Sequence, residues 1–389
     1  MAVNTIEAMD FKGKRVFLRA GFDVPINNEG RILDDFRIKE TIPTIKLLFK
    51  KGAKQIIIGS HQGRPKGNEK HLRMDNIAKE IYKLTKKTTE KLNDCINFRE
   101  EEFPEPEDAK IVLLENLRFY KEEIENNEEF AKELTKYADI YVNDAFSVCH
   151  REHASMCAIT KFIPGCVGLL VEKELRAFNH ILKEPTRPYV AIIGGAKLST
   201  KLPIIQNLTQ KVDKLLIGGA MIFTFYKAKG LSTGKSPVDK ESIAMAQMLN
   251  NNDKIMLPTD IIISDNPEST NCMNVTIDKL PSYMYGLDIG EKSVLEFKKK
   301  LAKAKTVVWN GPLGYYENPA YARATVNILK FLAQSPEIKT IIGGGDTTNL
   351  VTKLGIKERF FHVSTGGGAT LKLLEGKKLV AIKTLEENN

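Results

Sequence analysis

Short runs of β-branched and apolar residues punctuate the chain, each followed by a stretch whose apolar positions return every three or four residues. The runs fall at 15–20, 55–59, 110–114 and 139–143, and again at 189–193, 214–217, 260–264, 306–309, 340–342 and 361–363. The stretches between them predict helices at 38–51, 74–87, 128–137, 200–210, 240–251, 291–302 and 320–333. A strand followed by a helix, repeated, points to parallel sheets covered on both faces, because each parallel connection must cross back over the sheet. Runs that are apolar almost throughout, such as Gln55–Gly59, fit strands buried on both sides. No internal repeat is visible, and the one biased tract, the acidic stretch 100–108, reads as a solvated loop.

Pro185 and Pro188 close a charged amphipathic helix over 171–182. The fold class is therefore α/β, with two doubly wound, Rossmann-like parallel-sheet lobes joined by a bridging helix and a cleft between them. The lobes are placed at 1–170 and 187–370, with the interdomain helix and hinge at 171–186. A cleft between domains is the usual seat of a two-substrate site.

Composition narrows the classes. With 42% apolar and 28% charged residues the chain is an ordinary globular mixture, not disordered, collagenous or coiled-coil. The longest apolar run, 166–171, falls far short of the ~18 residues of a membrane span. The first ten residues lack a basic and then apolar pattern, so no secretory signal is expected. Five cysteines without a C-x-x-C pair read as reduced thiols in a cytoplasmic protein. A zinc site drawn from Cys149, His150, His153, Cys157 and Cys166 lacks the usual ligand spacing, and these cysteines read as small buried residues.

The formal charge of +9 calls for an anionic partner. Ten of the thirteen arginines lie before residue 187, whereas eighteen of the twenty-seven glycines lie after it. Arginine offers a planar fork to carboxylate and phosphate, and glycine lets backbone N–H groups approach phosphates. Two halves handling anions by different chemistry fit a bilobal enzyme. No basic stripe interleaved with aromatics appears, so nucleic acid is not the expected partner.

In the second half five glycine turns follow apolar runs, at Gly194–Lys197, Gly218–Met221, Asn310–Gly314, Gly343–Asp346 and Gly366–Ala369. Such turns, where they open helices at the carboxyl edge of a parallel sheet, present N–H groups and helix dipoles to nucleotide phosphates. A single one would be no more than a tight connection. The G-x-G-x-x-G fingerprint is absent, and Gly230–Ser236 imitates a P-loop one residue short, so it reads as a surface turn. Lys197 and Lys201, four apart where a strand runs into a helix, are expected to point at the same phosphates. Asp346 suits Mg²⁺ bridging nucleotide phosphates, or an N-cap, and the two roles are compatible. In the first half Arg19, Arg37, His61, Arg64, Arg118 and Arg151 lie at or just beyond strand ends and are anion-binding candidates.

The segments Lys14–Pro25, Ser60–Pro65, Leu113–Tyr120, Tyr141–Phe146, His150–Ser155, Gly194–Ser199, Val308–Gly314, Gly343–Thr347 and Ser364–Ala369 resemble, in order, the motifs of the phosphoglycerate kinase family. The resemblance implies reversible phosphoryl transfer between 1,3-bisphosphoglycerate and ADP, giving 3-phosphoglycerate and ATP. It places phosphoglycerate in the first lobe on Asp23, Arg37, His61, Arg64, Arg118 and Arg151. It places Mg·ATP or Mg·ADP in the second, on Lys197, Lys201, Gly218, Gly219, Asn310, Pro312, Glu317 (ribose), Gly343, Gly344, Gly345, Asp346 (also the metal ligand) and Thr347. Arg37, Lys197 and the Gly366–Gly368 amides, Gly367 among them, would surround the migrating phosphoryl group, with hinge closure excluding water. Residues 371–389 would return to the first lobe. A monomer with small-molecule substrates, and neither nucleic-acid nor membrane partner, is expected.

The chain departs from the family pattern in places. The family's D-F-N before Val-Pro is Gly21-Phe-Asp23, the leucine of H-L-G-R is Gln62, a glycine after Gly219 is Ala220, and an aspartate before Lys201 is Thr200. Asp23 either takes over the carboxylate missing at Gly21 or merely caps the turn before Pro25. A nucleotide-binding homologue without kinase activity is the alternative, and Gly21 is its support.

Overall fold

The computed structural model describes residues 3–108 and 110–388, the Glu100 side chain excepted. The chain divides into two compact units, Met1–Arg176 with Lys378–Asn389, and Ala177–Lys377. In chain order the first contains β1 (Arg15–Ala20), α1 (Phe36–Lys50), β2 (Gln55–Gly59), α2 (Asp75–Thr85), β3 (Thr89–Lys91), β4 (Ile111–Leu113), α3 (Lys121–Ile124), α4 (Glu128–Thr135), β5 (Ile140–Asp144) and β6 (Gly165–Val167). The division falls within α5 (Leu169–Lys183).

The second unit continues with β7 (Tyr189–Ile193), α6 (Leu202–Lys211), β8 (Lys214–Ile217), α7 (Ile222–Ala228), α8 (Ile243–Leu249), β9 (Ile255–Met256), β10 (Asp260–Ser264), β11 (Met273–Thr276) and β12 (Tyr285–Ile289). Then come α9 (Glu291–Leu301), β13 (Thr306–Asn310), α10 (Arg323–Ala333), β14 (Lys339–Gly343), α11 (Gly345–Lys353), β15 (His362–Val363) and α12 (Gly368–Leu374). The last helix, α13 (Val380–Glu387), belongs to the first unit, where the Ala381 N–H donates to the Cys149 carbonyl oxygen at 3.1 Å.

Each unit is built on a six-stranded parallel sheet, ordered β3-β4-β2-β1-β5-β6 in the first and β15-β14-β13-β7-β8-β9 in the second. Every residue of β2, β5, β7 and β13 is buried, as strands covered on both faces require. Both sheets reverse their winding beside the first strand, between β1 and β5 and between β7 and β13. Crevices open at the carboxyl ends of the strands at such reversals. Run 260–264 is a strand, but not of the parallel sheet: it is the centre of an antiparallel sheet, β11-β10-β12. Its partners β11 and β12 lie in a stretch whose polar alternation hid them from a reading tuned to apolar runs.

Local chemistry sets the helix boundaries. Asn127 accepts from the Phe130 N–H at 2.9 Å to start α4. Asp144, at the end of β5, accepts at Oδ1 from the Leu170 and Val171 N–H groups at 2.9 and 3.3 Å and so caps α5. A Cβ at Gly168 would stand 2.3 Å from that oxygen, so the residue before the helix must be glycine. Glycine is demanded more sharply at Gly194, where a Cβ would lie 1.9 Å from the Pro312 carbonyl oxygen. Gly194→Ala should lower stability by about 3 kcal/mol in urea unfolding, because backbone must move against backbone. Gly345→Ala, with nothing within 4 Å of the added carbon, should stay within about 0.5 kcal/mol of the parent.

Candidate functional site

In the first unit the chain leaving β1, β2 and β4 carries Asp23, His61 and Arg118 from one sheet edge, and Arg37 comes from the first turn of α1. These side chains meet. Arg37 donates to the Asp23 carbonyl oxygen at 2.5 Å and lies 3.9 Å from its carboxylate. Asp23 Oδ1 accepts from the Gly63 N–H at 2.9 Å, and Oδ2 faces His61 Nε2 at 3.7 Å. Arg118 donates to the Gly63 carbonyl oxygen at 2.8 Å. Arg64 follows Gly63 directly and is exposed, as is Arg151. Burial first, then the charges of Arg19 and Arg151, pull the Arg118 guanidinium down to about 10, against Asp23 and Glu123.

Arg19 is the exception. The sequence offers it as one more anion-binding arginine, yet it is fully buried, because β1 is flanked by β2 and β5. Its Nε donates to Ser155 Oγ at 2.7 Å, Nη2 reaches His61 Nδ1 at 3.2 Å, Nη1 meets the Ala20 carbonyl oxygen, and Glu123 lies 3.7 Å away. A guanidinium only donates, so His61 Nδ1 accepts and Nε2 carries the proton toward Asp23. Burial is the largest influence on His61; Asp23 opposes it, Arg19 and Arg118 add to it, and the imidazole settles at about 4. Burial works against charge on Asp23 too, but His61, the Gly63 N–H and Arg37 outweigh it and hold the carboxyl well below its ordinary range. The Asp23 carboxylate thus lies among His61, the Gly63 N–H and Arg37.

In the second unit the five glycine turns do follow the carboxyl ends of β7, β8, β13, β14 and β15. They perform two different tasks. At Gly219 and Gly311 an added Cβ would strike the backbone of Gly195 at 2.5 Å and of Gly194 at 2.3 Å, and at Gly218 it would overlap Leu313 at 2.3 Å. These glycines, with Gly194, let the turns after β7, β8 and β13 lie on one another. Gly343 sits against Thr370, and Gly344 adopts φ +91° to cap α11. Gly345 and Gly367, by contrast, face open space.

A cavity of about 510 Å³ is lined by Gly195, Gly219, Pro312, Tyr316, Glu317 and Asp346 among others. Asp346 stands in the first turn of α11 and accepts at Oδ1 from the Tyr316 hydroxyl at 2.7 Å. Lys201 Nζ donates to Asn310 Oδ1 at 2.7 Å; burial lowers this amine, with Asp346 opposing. Asn310 Nδ2 and Thr347 Oγ1 are buried without a hydrogen-bond partner. Asp288, at the cavity wall, accepts from the Ile289 and Ala324 N–H groups at 2.9 Å each, and burial raises its carboxyl to about 8. Lys197 is exposed. Since α6 begins at Leu202, both lysines precede the helix and the four-residue helical spacing does not apply to them. The 230–236 turn follows a helix, and Ser236 Oγ accepts from the Gly286 N–H at 2.9 Å, so it serves the antiparallel sheet.

A family profile described as "Phosphoglycerate kinase" matches residues 6–377. The chain belongs to that family. It is 45% identical to a phosphoglycerate kinase of Dictyoglomus turgidum over 97% of each chain, and 46% identical to one of Trichodesmium erythraeum over 99% of this chain and 98% of the other. The fold is similar to the solved phosphoglycerate kinase of Coxiella burnetii, with a TM-score of 0.88 at 35% identity over 99% of both chains. The Pyrococcus horikoshii enzyme aligns with a TM-score of 0.86 at 29% identity over 98% of both. The family resemblance named Glu317, which does line the cavity. Sequence reasoning missed Tyr316 beside it, and a tyrosine next to a candidate ribose carboxylate carries no signal of its own.

The His61 environment has a consequence for acid stability. Between its ordinary 6.5 and about 4 the unfolded chain binds a proton that the folded imidazole refuses. Stability therefore falls as pH drops through this window, by up to about 1.4 kcal/mol per pH unit. In His61→Gln that share of the slope should vanish, which hydrogen exchange of the β1 and β2 amides at about pH 7 and about pH 5 would read.

Proposed function

We propose that this chain transfers a phosphoryl group reversibly between 1,3-bisphosphoglycerate and ADP, with Asp23, Arg37, His61, Arg64, Arg118 and Arg151 holding the phosphoglycerate. Family membership carries the reaction class, a phosphotransferase of glycolysis with a carboxyl group as acceptor. The observation that carries the residue assignment is the convergence of Asp23, Arg37, His61 and Arg118 at the carboxyl ends of three strands. The nucleotide takes the second unit's cavity, its phosphates beside Lys197, Lys201 and the Gly343–Gly345 turn, and its ribose at Glu317.

Such a transfer passes through a loose transition state with charge spread over three oxygens, so the protein's work is positioning and electrostatic stabilisation. Arg37 has five N–H donors and spends one on the Asp23 carbonyl, leaving others for the migrating group. His61, neutral at physiological pH, donates from Nε2. The open side of Gly367 gives phosphate oxygens access to the amides at the start of α12.

Magnesium fits the donor set. Among the described residues no group of three or more His, Cys, Asp or Glu side chains gathers, so Asp346 would hold the ion as a single carboxylate completed by phosphate oxygens and water. When bound, it neutralises charge on the phosphates. All five cysteines are free, which supports a cytosolic setting, and among the described residues no helix is long and apolar enough to cross a membrane.

A coupled assay of ATP-dependent phosphorylation of 3-phosphoglycerate tests the reading; nucleotide binding without turnover would return the inactive homologue. Arg37→Ala should lower kcat about a hundredfold with a smaller change in KM, as the loss of one preorganised donor does. Calorimetry of Lys201→Ala should show weakened ATP and ADP with 3-phosphoglycerate affinity unchanged. Equal losses for both ligands would reject the division of labour between the units.

A further inference from the structure

Strands β1 and β2 pair in register as far as Arg19 and Gly59. Beyond that point side chains replace the backbone ladder. Ser60 Oγ accepts from the Phe22 N–H at 3.0 Å and donates to the Ala20 carbonyl oxygen at 2.9 Å. Gln62 then grips Val24 from both sides: its Oε1 accepts from the Val24 N–H at 3.2 Å and its Nε2 donates to the Val24 carbonyl oxygen at 2.6 Å. The carbonyl of Gln62 is itself held by Asn116 Nδ2 at 2.8 Å. Asp23 lies between the two gripped residues, and its carboxylate returns the contact at the Gly63 N–H.

We infer that Gln62 is a positioning residue for the phosphoglycerate site, fixing the 21–24 loop so that the Asp23 carboxylate is aimed among His61, Gly63 and Arg37 to take a substrate hydroxyl. The inference rests on the phosphoglycerate reading above. Gln62 and Val24 are 4% and 3% exposed, so an apolar side chain at 62 would leave both backbone groups of Val24 buried and unpaired. The loop would then move to find partners, and the carboxylate with it. Room for a side chain at position 21 is short: a Cβ there would stand 3.2 Å from Ser147 Oγ, which would have to give way by a few tenths of an ångström. The departures at 21, 23 and 62 thus form one unit: glycine where side-chain room is short, a carboxylate two residues on, and an amide that holds it.

Gln62→Leu should raise the KM for 3-phosphoglycerate about tenfold, leaving kcat within about threefold and the KM for ATP within about twofold. In an Asp23→Ala background the same substitution should change the 3-phosphoglycerate KM by less than about twofold, because the group it positions is gone. Gln62→Glu, which keeps the acceptor for the Val24 N–H, should recover part of the loss. Amide exchange at Val24 and Gly63 should quicken in Gln62→Leu without any ligand, a readout independent of the reaction assigned to the chain. Unchanged exchange and KM in Gln62→Leu, or losses that add fully to those of Asp23→Ala, would overturn the role. Absence of turnover in the parent protein would instead strike the functional reading.

Discussion

The first unit's site depends on a charge pair buried in its core. Arg19 and Glu123 are fully buried and 3.7 Å apart. Burial alone would neutralise Glu123, but His153, Arg19 and Ser155 hold its carboxyl at about 2. Ser155 bridges the pair, accepting from Arg19 and donating to Glu123 Oε1 at 2.7 Å. Removing one partner of such a pair strands the other charge, at about 3–5 kcal/mol. The guanidinium so fixed has a donor left for His61 Nδ1, and from that bond follow the imidazole's tautomer and the direction of its remaining N–H, while burial above all keeps it neutral. A buried ion pair thus supports a neutral hydrogen-bond donor, His61, which is itself only 2% exposed.

The second unit solves a different problem with backbone alone. Its turns after β7, β8 and β13 lie so close that side chains are excluded at Gly194, Gly218, Gly219 and Gly311. That contact packs the three turns backbone to backbone, and the side-chain hydrogen bonds around them are few: Lys201 with Asn310, and Tyr316 with Asp346. Asn310 Nδ2 at the end of β13 and Thr347 Oγ1 in α11 are buried without a hydrogen-bond partner.

Much of this was legible in the sequence, for a physical reason: buried parallel strands are written as apolar runs, and the runs at 15–20, 55–59, 189–193 and 214–217 coincide with β1, β2, β7 and β8. The glycine turns were found at the right edge, but their shared cause was not, since a phosphate and a neighbouring carbonyl both demand the absence of a Cβ. Short or polar strands escaped: β3 is Thr-Glu-Lys and β11 is largely exposed, so neither has an apolar face to betray it. Arg19 was misassigned because an arginine at a strand end looks the same whether it points to solvent or is answered by a glutamate a hundred residues on. Gln62 was visible only as a departure from a pattern; its two bonds to Val24 depend on how two strand ends diverge, which no local signal encodes.

The return of the chain to its first unit sets an order on synthesis. Helix α13 buries Leu385 beside Gly165 and ties Asn388 to Thr160 at 2.8 Å, so the first unit lacks one of its walls until residues 378–388 exist. The ribosome must therefore make the whole of the second unit before it supplies the helix that completes the first. During translation the unit that comes first in sequence is the later of the two to have all its parts, while Ala177–Lys377, being continuous, can close as soon as it emerges.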